Sequence, residues 1–235
     1  MIIKKIGCLI VIGFIMMSCT GRVEFTEAFK NESSGKYQFN EDELILVYYE
    51  NDKLLMNWKE GVFAPVVTDT NEIFVADMYK KLRFVKHPKT NKRYLSIVSE
   101  EDPSNITYDY LKVPDSYKTP STHLEEGNYE AALAGYLKIK EKDSTSSYIR
   151  ERDFNSKGYS YIRKKEYDKA ISVFKINIKL HPNSANVYDS LAEAYLRSGD
   201  SLNAYTNYKE AYSRNSDNKR ALNYINTYKP KDSIQ

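Results

Sequence analysis

Cysteine is scarce in this sequence, which has only Cys8 and Cys19 among its 235 residues. Both lie near the start, so the rest of the chain has no disulfide framework and no thiolate that could ligate a metal. The three histidines, His87, His123 and His181, stand apart without metal-ligand spacing and are interpreted as structural. We therefore expect no metal site, no cofactor and no catalytic residues.

An excess of charge of one sign is also missing. The chain has 35 Lys and Arg against 32 Asp and Glu, and without Lys4 and Lys5 the balance is 33 to 32. Proteins that bind nucleic acids carry clustered basic excess, so the overall balance argues against a nucleic-acid partner. Hydrophobic residues make up 41% and charged residues 29%, which predicts a folded body rather than a disordered chain.

The first 18 residues, MIIKKIGCLIVIGFIMMS, have the order of an export signal. Two lysines precede an apolar run of about a dozen residues, too short for the roughly 20 that a spanning helix needs. The stretch MMSC resembles a bacterial lipobox, although Met16 and Met17 replace the usual leucine and small residue. The resemblance implies that 1–18 is removed, that Cys19 becomes the acylated N-terminus and that 19–34 is a tether. An uncleaved N-terminal anchor is the alternative.

Short β-favouring runs separated by turn residues fill 35–113 and predict a small antiparallel β-barrel or sandwich. Asn51-Asp52 and His87–Asn91 are expected turns, and Leu54, Met56 and Trp58 share one face. The sequence leaves open whether the interior is filled or holds a small ligand. The predicted strands are Lys36–Phe39, Leu44–Glu50 (apolar on both faces), Lys53–Lys59, Val62–Val67, Glu72–Asp77, Lys81–Lys86, Arg93–Ser99 and Ile106–Val113.

An internal repeat occupies the C-terminal half. Residues 151–184 align with 185–218 without a gap, at the 34-residue period of tetratricopeptide repeats, and the paired positions resemble that family. The resemblance implies helix pairs in which small residues allow close approach and aromatic residues fill the gaps. The repeat-packing residues it assigns are Phe154, Gly158, Tyr161, Ala170, Phe174, Tyr188, Ala192, Tyr195, Ala204 and Tyr208.

Further units flank this pair of repeats. Residues 125–139 resemble 164–178 at an offset of 38 residues, and 218–228 would form a cap helix. Pro182 ends one helix and Ser184 can cap the next. The sequence thus predicts an α+β protein of two domains. The β module at 35–113 is followed, after a boundary between Val113 and Pro120, by an α-solenoid of about three helix pairs at 117–228 and a tail at 229–235.

The first helix of each pair lines the concave face of a tetratricopeptide array. Carrying the family's groove positions over gives Arg152, Asn155, Tyr159, Arg163, Asn186, Asp189, Glu193 and Arg197. Their mixed charge predicts a peptide of mixed charge as the partner. The same polar residues would also suit a merely solvated helix face.

The order of parts adds a second resemblance, to the tail of serine β-lactamase-family hydrolases from Bacteroidetes, in which a β module precedes tetratricopeptide repeats. It carries no catalytic residue over, and the S-x-x-K at Ser33–Lys36 and Y-x-N at Tyr49–Asn51 are interpreted as accidental. The sequence predicts a non-catalytic lipoprotein of the cell membrane or outer membrane that binds a protein or peptide of the cell envelope. A small-ligand carrier and an accessory subunit of a cell-envelope serine hydrolase are the alternatives.

Overall fold

The computed structural model of the chain describes residues 23–59 and 61–228. The predicted leader, Cys19 and the predicted tail at 229–235 lie outside the described residues. Within them, an antiparallel sheet with one short helix is followed by a series of helices.

Nine strands of the described chain form one antiparallel sheet, in the order β4-β3-β2-β1-β9-β8-β7-β6-β5. The strands are β1 (Gly35–Gln38), β2 (Leu44–Glu50), β3 (Lys53–Trp58), β4 (Gly61–Phe63), β5 (Val66–Asp69), β6 (Glu72–Val75), β7 (Lys80–Lys86), β8 (Arg93–Ile97) and β9 (Tyr110–Val113).

The sheet is curled because its two edge strands are consecutive in the chain. Only Ala64 and Pro65 separate β4 from β5. Eight strand spacings laid flat would cover roughly 38 Å, whereas a two-residue link reaches about 10 Å. The sheet therefore curls into a half-barrel that brings its edges together. The single strand predicted at Val62–Val67 is wrong, because Pro65 cannot donate to a ladder and divides it in two.

The hairpin turns follow local backbone chemistry. Asn51 and Asp52 both have positive φ, 48° and 60°, as a tight two-residue hairpin requires, which confirms that turn. The turn after β7 is also confirmed, because Asn91 N donates to His87 O at 3.0 Å. By contrast, residues 106–109 are not part of β9 as predicted. Tyr108 has φ of 52°, and the Asp109 side chain replaces a strand partner by accepting from Ile97 N at 2.7 Å.

The concave face of the half-barrel is filled by side chains. Leu54 and Met56 are 4% and 0% exposed and lie on the predicted shared face, against which Trp58 packs. These three residues therefore belong to a packed core and not to the wall of a ligand cavity. Leu46 on the other face of β2 is 39% exposed, so β2 is buried on one face only, although it is apolar on both. The other buried core members are Tyr37, Ile45, Val47, Ile73, Val75, Leu82, Leu95 and Tyr110.

The segment interpreted as a tether, 19–34, contains a docked helix, α1 (Glu27–Ser33). Thr26 Oγ1 caps it by accepting from Phe29 N at 3.1 Å. The Phe29 ring meets Phe84 of β7 edge to face with centroids 5.5 Å apart. Apolar residues on one helix face thus fix this segment to the half-barrel, which the tether interpretation did not anticipate.

Helices occupy the remainder of the described chain, which is called the helical stack below. They are α2 (Pro120–Glu125), α3 (Tyr129–Lys142), α4 (Glu151–Arg163), α5 (Tyr167–Leu180), α6 (Ala185–Ser198), α7 (Ser201–Arg214) and α8 (Lys219–Thr227). The turn inside each pair has a residue with positive φ, at Gly127, Lys165 and Gly199, spaced by the 38- and 34-residue offsets. Helix α6 begins after Ser184, but the Ser184 side chain makes no capping hydrogen bond, contrary to expectation.

Polar contacts join the half-barrel to the helical stack. β9 ends at Val113 and α2 begins at Pro120, on either side of the predicted boundary. Asp42 Oδ1, in the β1–β2 loop, accepts from Ser121 N at 2.7 Å at the start of α2. Burial raises the pKa of Asp42, and its hydrogen bonds from Ser121 oppose that rise. Asn40 Nδ2 donates to the Tyr148 hydroxyl at 2.8 Å, so the stack docks on the β1–β2 loop end of the half-barrel.

Candidate functional site

Helices α4 and α6 lie side by side, and their exposed faces form a groove. Its open cavity of about 670 Å³ contains five of the eight residues predicted for the peptide site. The side chains on α4 recur every three or four residues, so they form one strip along the helix. The cavity is lined by Glu151, Arg152, Asn155, Ser156, Tyr159, Arg163 and Asn186.

The groove floor contains a hydrogen-bond acceptor with no partner. Asn155 Oδ1 is buried and accepts no hydrogen bond within the described parts of the chain. Beside it, Asn186 Nδ2 donates to Glu151 Oε1 at 2.8 Å, which ties α6 to α4. An unpaired buried acceptor costs about 1–3 kcal/mol, and an N–H group of a bound chain would remove that cost.

The acidic residues predicted for the α6 side of the groove already have partners. Asp189 is 7% exposed; it accepts from Asn218 Nδ2 at 3.0 Å and forms an ion pair with Arg220 of α8. Glu193 Oε1 is 2.7 Å from Arg197 Nε, and its Oε2 lies 3.3 Å from the Tyr208 hydroxyl. Both carboxylates are therefore neutralised internally, which corrects the expectation that they face a ligand.

Two arginines of α4 keep their charge available. The Arg152 side chain is 77% exposed, and its Nε is 3.4 Å from Asp153 Oδ1, an exposed pair of little strength. Arg163 is exposed and forms no ion pair with any residue of 23–59 or 61–228. Since the α6 carboxylates are paired, the charges left in the groove are those of Arg152, Arg163 and Glu151, whose carboxylate accepts only from the neutral Asn186 amide within the described chain. The groove therefore has both signs of charge, with a positive excess.

Tyr159 has a structural role as well as a place in the cavity. Its ring meets the Phe174 ring edge to face, with centroids 5.4 Å apart, and Phe174 is fully buried. Tyr159 therefore packs against the second helix of its own repeat. A substitution at Tyr159 would change the fold of the groove together with its surface.

The residues assigned to repeat packing are buried or half-buried. The Tyr136 ring of α3 meets Phe154 edge to face at 5.0 Å, which joins the degenerate unit to the first repeat. Burial raises the pKa of Tyr208, and the nearby Glu193 carboxylate raises it further. Exposure is 4% or less for Phe154, Ala170, Phe174, Ala192, Ala204 and Tyr208; Gly158 is buried; and Tyr161, Tyr188 and Tyr195 are half-buried.

Some residues that hold groove-helix groups in place escaped sequence reasoning. Arg220 and Asn218 come from the predicted cap helix, which was expected to solvate the end of the array and not to bind α6. Their polar side chains at the start of a short helix gave no signal. Asn177 did give one, because it stands where the family has alanine; it is fully buried and its Nδ2 donates to Glu151 O at 3.0 Å.

The hydrolase-like patterns do not assemble into a site. Ser33 is 3% exposed, and its Oγ lies 2.8 Å from the Tyr49 hydroxyl, but Lys36 Nζ donates instead to Asp115 O at 2.6 Å. In the described parts of the chain, no group of three or more His, Cys, Asp or Glu residues could hold a metal. No helix between residues 23 and 228, Glu60 aside, has the length and apolarity needed to cross a bilayer.

Comparisons with known proteins give only weak similarity to solved structures. No family model and no curated protein matches the chain. It is similar to the first TPR domain of Spaghetti (RPAP3) bound to an HSP90 peptide, with 18% identity, 46% of this chain and 82% of that chain covered, and a TM-score of 0.32. It is also similar to the second TPR domain of human RPAP3 in complex with an HSP70 peptide. The identity is 17%, the match covers 46% of this chain and 86% of that chain, and the TM-score is 0.32. MamA is 23% identical over 45% of this chain, with a TM-score of 0.32. The match covers 60% of MamA, which is less than two thirds of its length. With scores this low, the repeat interpretation rests on the 34-residue period and the helix packing.

Proposed function

We propose that this protein is a non-catalytic scaffold that binds a protein or peptide segment in the groove of α4 and α6. The observation that carries the proposal is the open strip of Arg152, Asn155 and Arg163, in which two free positive charges flank an unpaired buried acceptor. An extended backbone supplies N–H groups to such an acceptor, and acidic side chains complement the arginines. The partner segment thus carries acidic side chains opposite the two arginines.

The groove can be tested with a peptide-display library panned against the purified chain. We expect enrichment of acidic peptides, and one of these is then titrated by fluorescence polarisation. Replacing Arg152 and Arg163 with alanine should weaken its binding by about 1–3 kcal/mol, because arginines in a groove centre carry much of the binding energy. The fold should be unchanged, since neither side chain packs in the core.

A matched control replaces Lys138 and Lys179, two exposed lysines on α3 and α5 outside the groove, with alanine. This variant should bind the selected peptide as the parent does. Selection of no peptide, or equal binding by the arginine double variant, would show that the groove is not the site.

We further propose that Cys19 is acylated and holds the protein at the cell membrane or outer membrane. The support is the order of lysines, apolar run, small residue and cysteine in residues 4–19. Labelling cells with a palmitate analogue should mark the wild type and not a Cys19→Ser variant, which should also leave the membrane fraction. A Cys8→Ser variant is the control and should be labelled normally. An unlabelled wild type would exclude the lipid anchor.

A further inference from the structure

The nearly balanced overall charge conceals one strongly basic segment. Residues 80–93, KKLRFVKHPKTNKR, contain seven Lys or Arg and no acidic residue. Lys81 and Arg83 pair with Glu72 of β6, and Arg93 pairs with Glu32 of α1 at 2.5 Å. Three lysines remain in and beside the turn from β7 to β8, which is called the basic turn below: Lys86, Lys89 and Lys92.

The basic turn is exposed and has a defined shape. Its three lysines are exposed and form no ion pair with any residue of the described chain. His87 Nδ1 accepts from Lys89 N at 3.2 Å and from Thr90 N at 3.3 Å, while His87 N donates to Lys92 O at 2.8 Å. The turn thus holds three positive charges close together at the tip of a hairpin.

Strand register locates the basic turn beside the point where the chain enters the fold. Lys86 and Arg93 are the last paired residues before the turn, and Arg93 reaches Glu32 at the C-terminal end of α1. Lys112 Nζ also donates to Glu32 O at 2.8 Å. Helix α1, the basic turn and the first described residue, Val23, therefore share one end of the half-barrel.

The helical stack lies at the other end. In the antiparallel pair of β1 and β2, Gly35 is opposite Val47 at the α1 end, and Gln38 is opposite Leu44 at the far end. The β1–β2 loop beyond Gln38 is the segment that contacts the stack, through Asn40 and Asp42. The basic turn and the part of the helical stack that docks on the half-barrel are thus at opposite ends of β1.

We propose that the basic turn binds the anionic phospholipid headgroups of the membrane to which the protein is anchored. This inference rests on the proposed acylation of Cys19, which lies four residues before Val23 and hence within about 14 Å of it. Each lysine near an anionic surface strengthens binding roughly fivefold, and a basic patch is a common second signal beside acyl chains. Bound in this way, the half-barrel lies on the membrane by its α1 end, and the helical stack docks on its opposite end.

The test measures vesicle binding without the anchor, so that failure of the Cys19 proposal cannot affect it. A chain that begins at Thr20 keeps every described residue. It is sedimented with phosphatidylcholine vesicles that contain phosphatidylglycerol, and with vesicles of phosphatidylcholine alone. We expect binding to the first only, and roughly a hundredfold loss of the partition coefficient on replacing Lys86, Lys89 and Lys92 with glutamine. Raised salt should also weaken binding.

The matched control replaces Lys138, Lys164 and Lys219, three exposed lysines of the helical stack without ion pairs, with glutamine. It should bind vesicles as the parent does, and circular dichroism should show both triple variants folded. Absence of binding to anionic vesicles, or equal binding by the two triple variants, overturns the proposal. So does tighter binding of a single-stranded oligonucleotide than of anionic vesicles, since the basic turn would then be a nucleic-acid site.

Discussion

The half-barrel and the helical stack fill their interiors in opposite ways. In the half-barrel, large side chains such as Tyr37, Ile45 and Met56 point inward from every strand and meet in the centre. In the stack, alanine or glycine stands where two helices cross, and a ring from the facing helix fills the space, as Phe174 does over Gly158. The half-barrel therefore depends on large buried side chains. The stack depends on positions where the side chain must be very small, so that two helices can approach each other.

The two regions also differ in the range of their contacts. β1 lies between β2, its neighbour in sequence, and β9, with Lys36 opposite Val113. Most helices of the stack pack on the next helix along the chain, as α6 does on α7. Non-local pairing makes the half-barrel an all-or-none unit, while a stack of repeats is stabilised interface by interface. Each prediction below tests one side of this contrast.

The largest effect is expected at Gly158. A Cβ atom there would lie 2.4 Å from the Phe174 ring, which is fully buried and cannot move aside. Gly158→Leu should therefore cost more than about 3 kcal/mol in the free energy of unfolding, even though leucine favours helices. Circular dichroism at 222 nm reports the loss of the stack. Fluorescence of Trp58, the chain's single tryptophan, reports the half-barrel and should stay native.

Gly199→Ala is the control for Gly158→Leu. Gly199 has a φ of 90° and open space around the position of a Cβ atom. Alanine there should lower the free energy of unfolding only through the strain of a left-handed backbone, by about 1–2 kcal/mol. Adding Phe174→Ala to Gly158→Leu should restore part of the helical signal. If Gly158→Leu is as stable as the wild type, the contrast drawn between the two interiors is wrong.

The sequence predicted the helices and strands of both regions. It predicted which elements pack together only for the helical stack. The repeat copies its packing positions every 34 residues, so a single alignment placed Phe154, Gly158 and Phe174 at buried sites. Strand periodicity placed Leu54 and Met56 in the core, but no local pattern pairs β1 with β9. Five of the eight predicted groove residues line one open cavity, but the pairing of Asp189 was missed because its partner, Arg220, comes from α8.

A smaller effect is expected from a buried hydroxyl of the half-barrel. The Tyr37 hydroxyl donates to Ser33 O at 2.8 Å, and burial raises its pKa. An unfolded tyrosine ionises near pH 10, so the stability that neutral Tyr37 contributes is complete below about pH 10 and is lost as the pH rises further. Tyr37→Phe should cost about 1 kcal/mol at neutral pH through the lost hydrogen bond.

Alkaline titration of the Tyr37→Phe variant separates the two regions. Above about pH 10 its half-barrel should lose stability less steeply than that of the wild type, as Trp58 fluorescence in denaturant reports. The alkaline loss at 222 nm should be unchanged, because burial also raises the pKa of Tyr136 and Tyr208 in the stack. Equal changes in both signals would mean that the regions unfold together.

The smallest effect is expected at the one turn where the repeats disagree. Gly127, Lys165 and Gly199 occupy equivalent positions after the first helix of each unit, and all three have positive φ, of 80°, 63° and 90°. Glycine adopts this conformation without strain, whereas lysine does so at a cost. Lys165→Gly should therefore stabilise the stack by about 0.5–1 kcal/mol. The relief of backbone strain is larger than this, but glycine also raises the entropy of the unfolded chain, which offsets part of it.

The neighbouring residue provides the control for Lys165. Lys164 has φ of −85° in the right-handed region, so Lys164→Gly gains no relief from strain and should destabilise the stack by about 0.5–1 kcal/mol. Both changes remove one exposed lysine, which cancels the effect of charge. Denaturant unfolding followed at 222 nm should thus move in opposite directions for the two variants, while Trp58 fluorescence stays the same. Equal shifts would mean that the left-handed backbone at Lys165 carries no strain that glycine relieves.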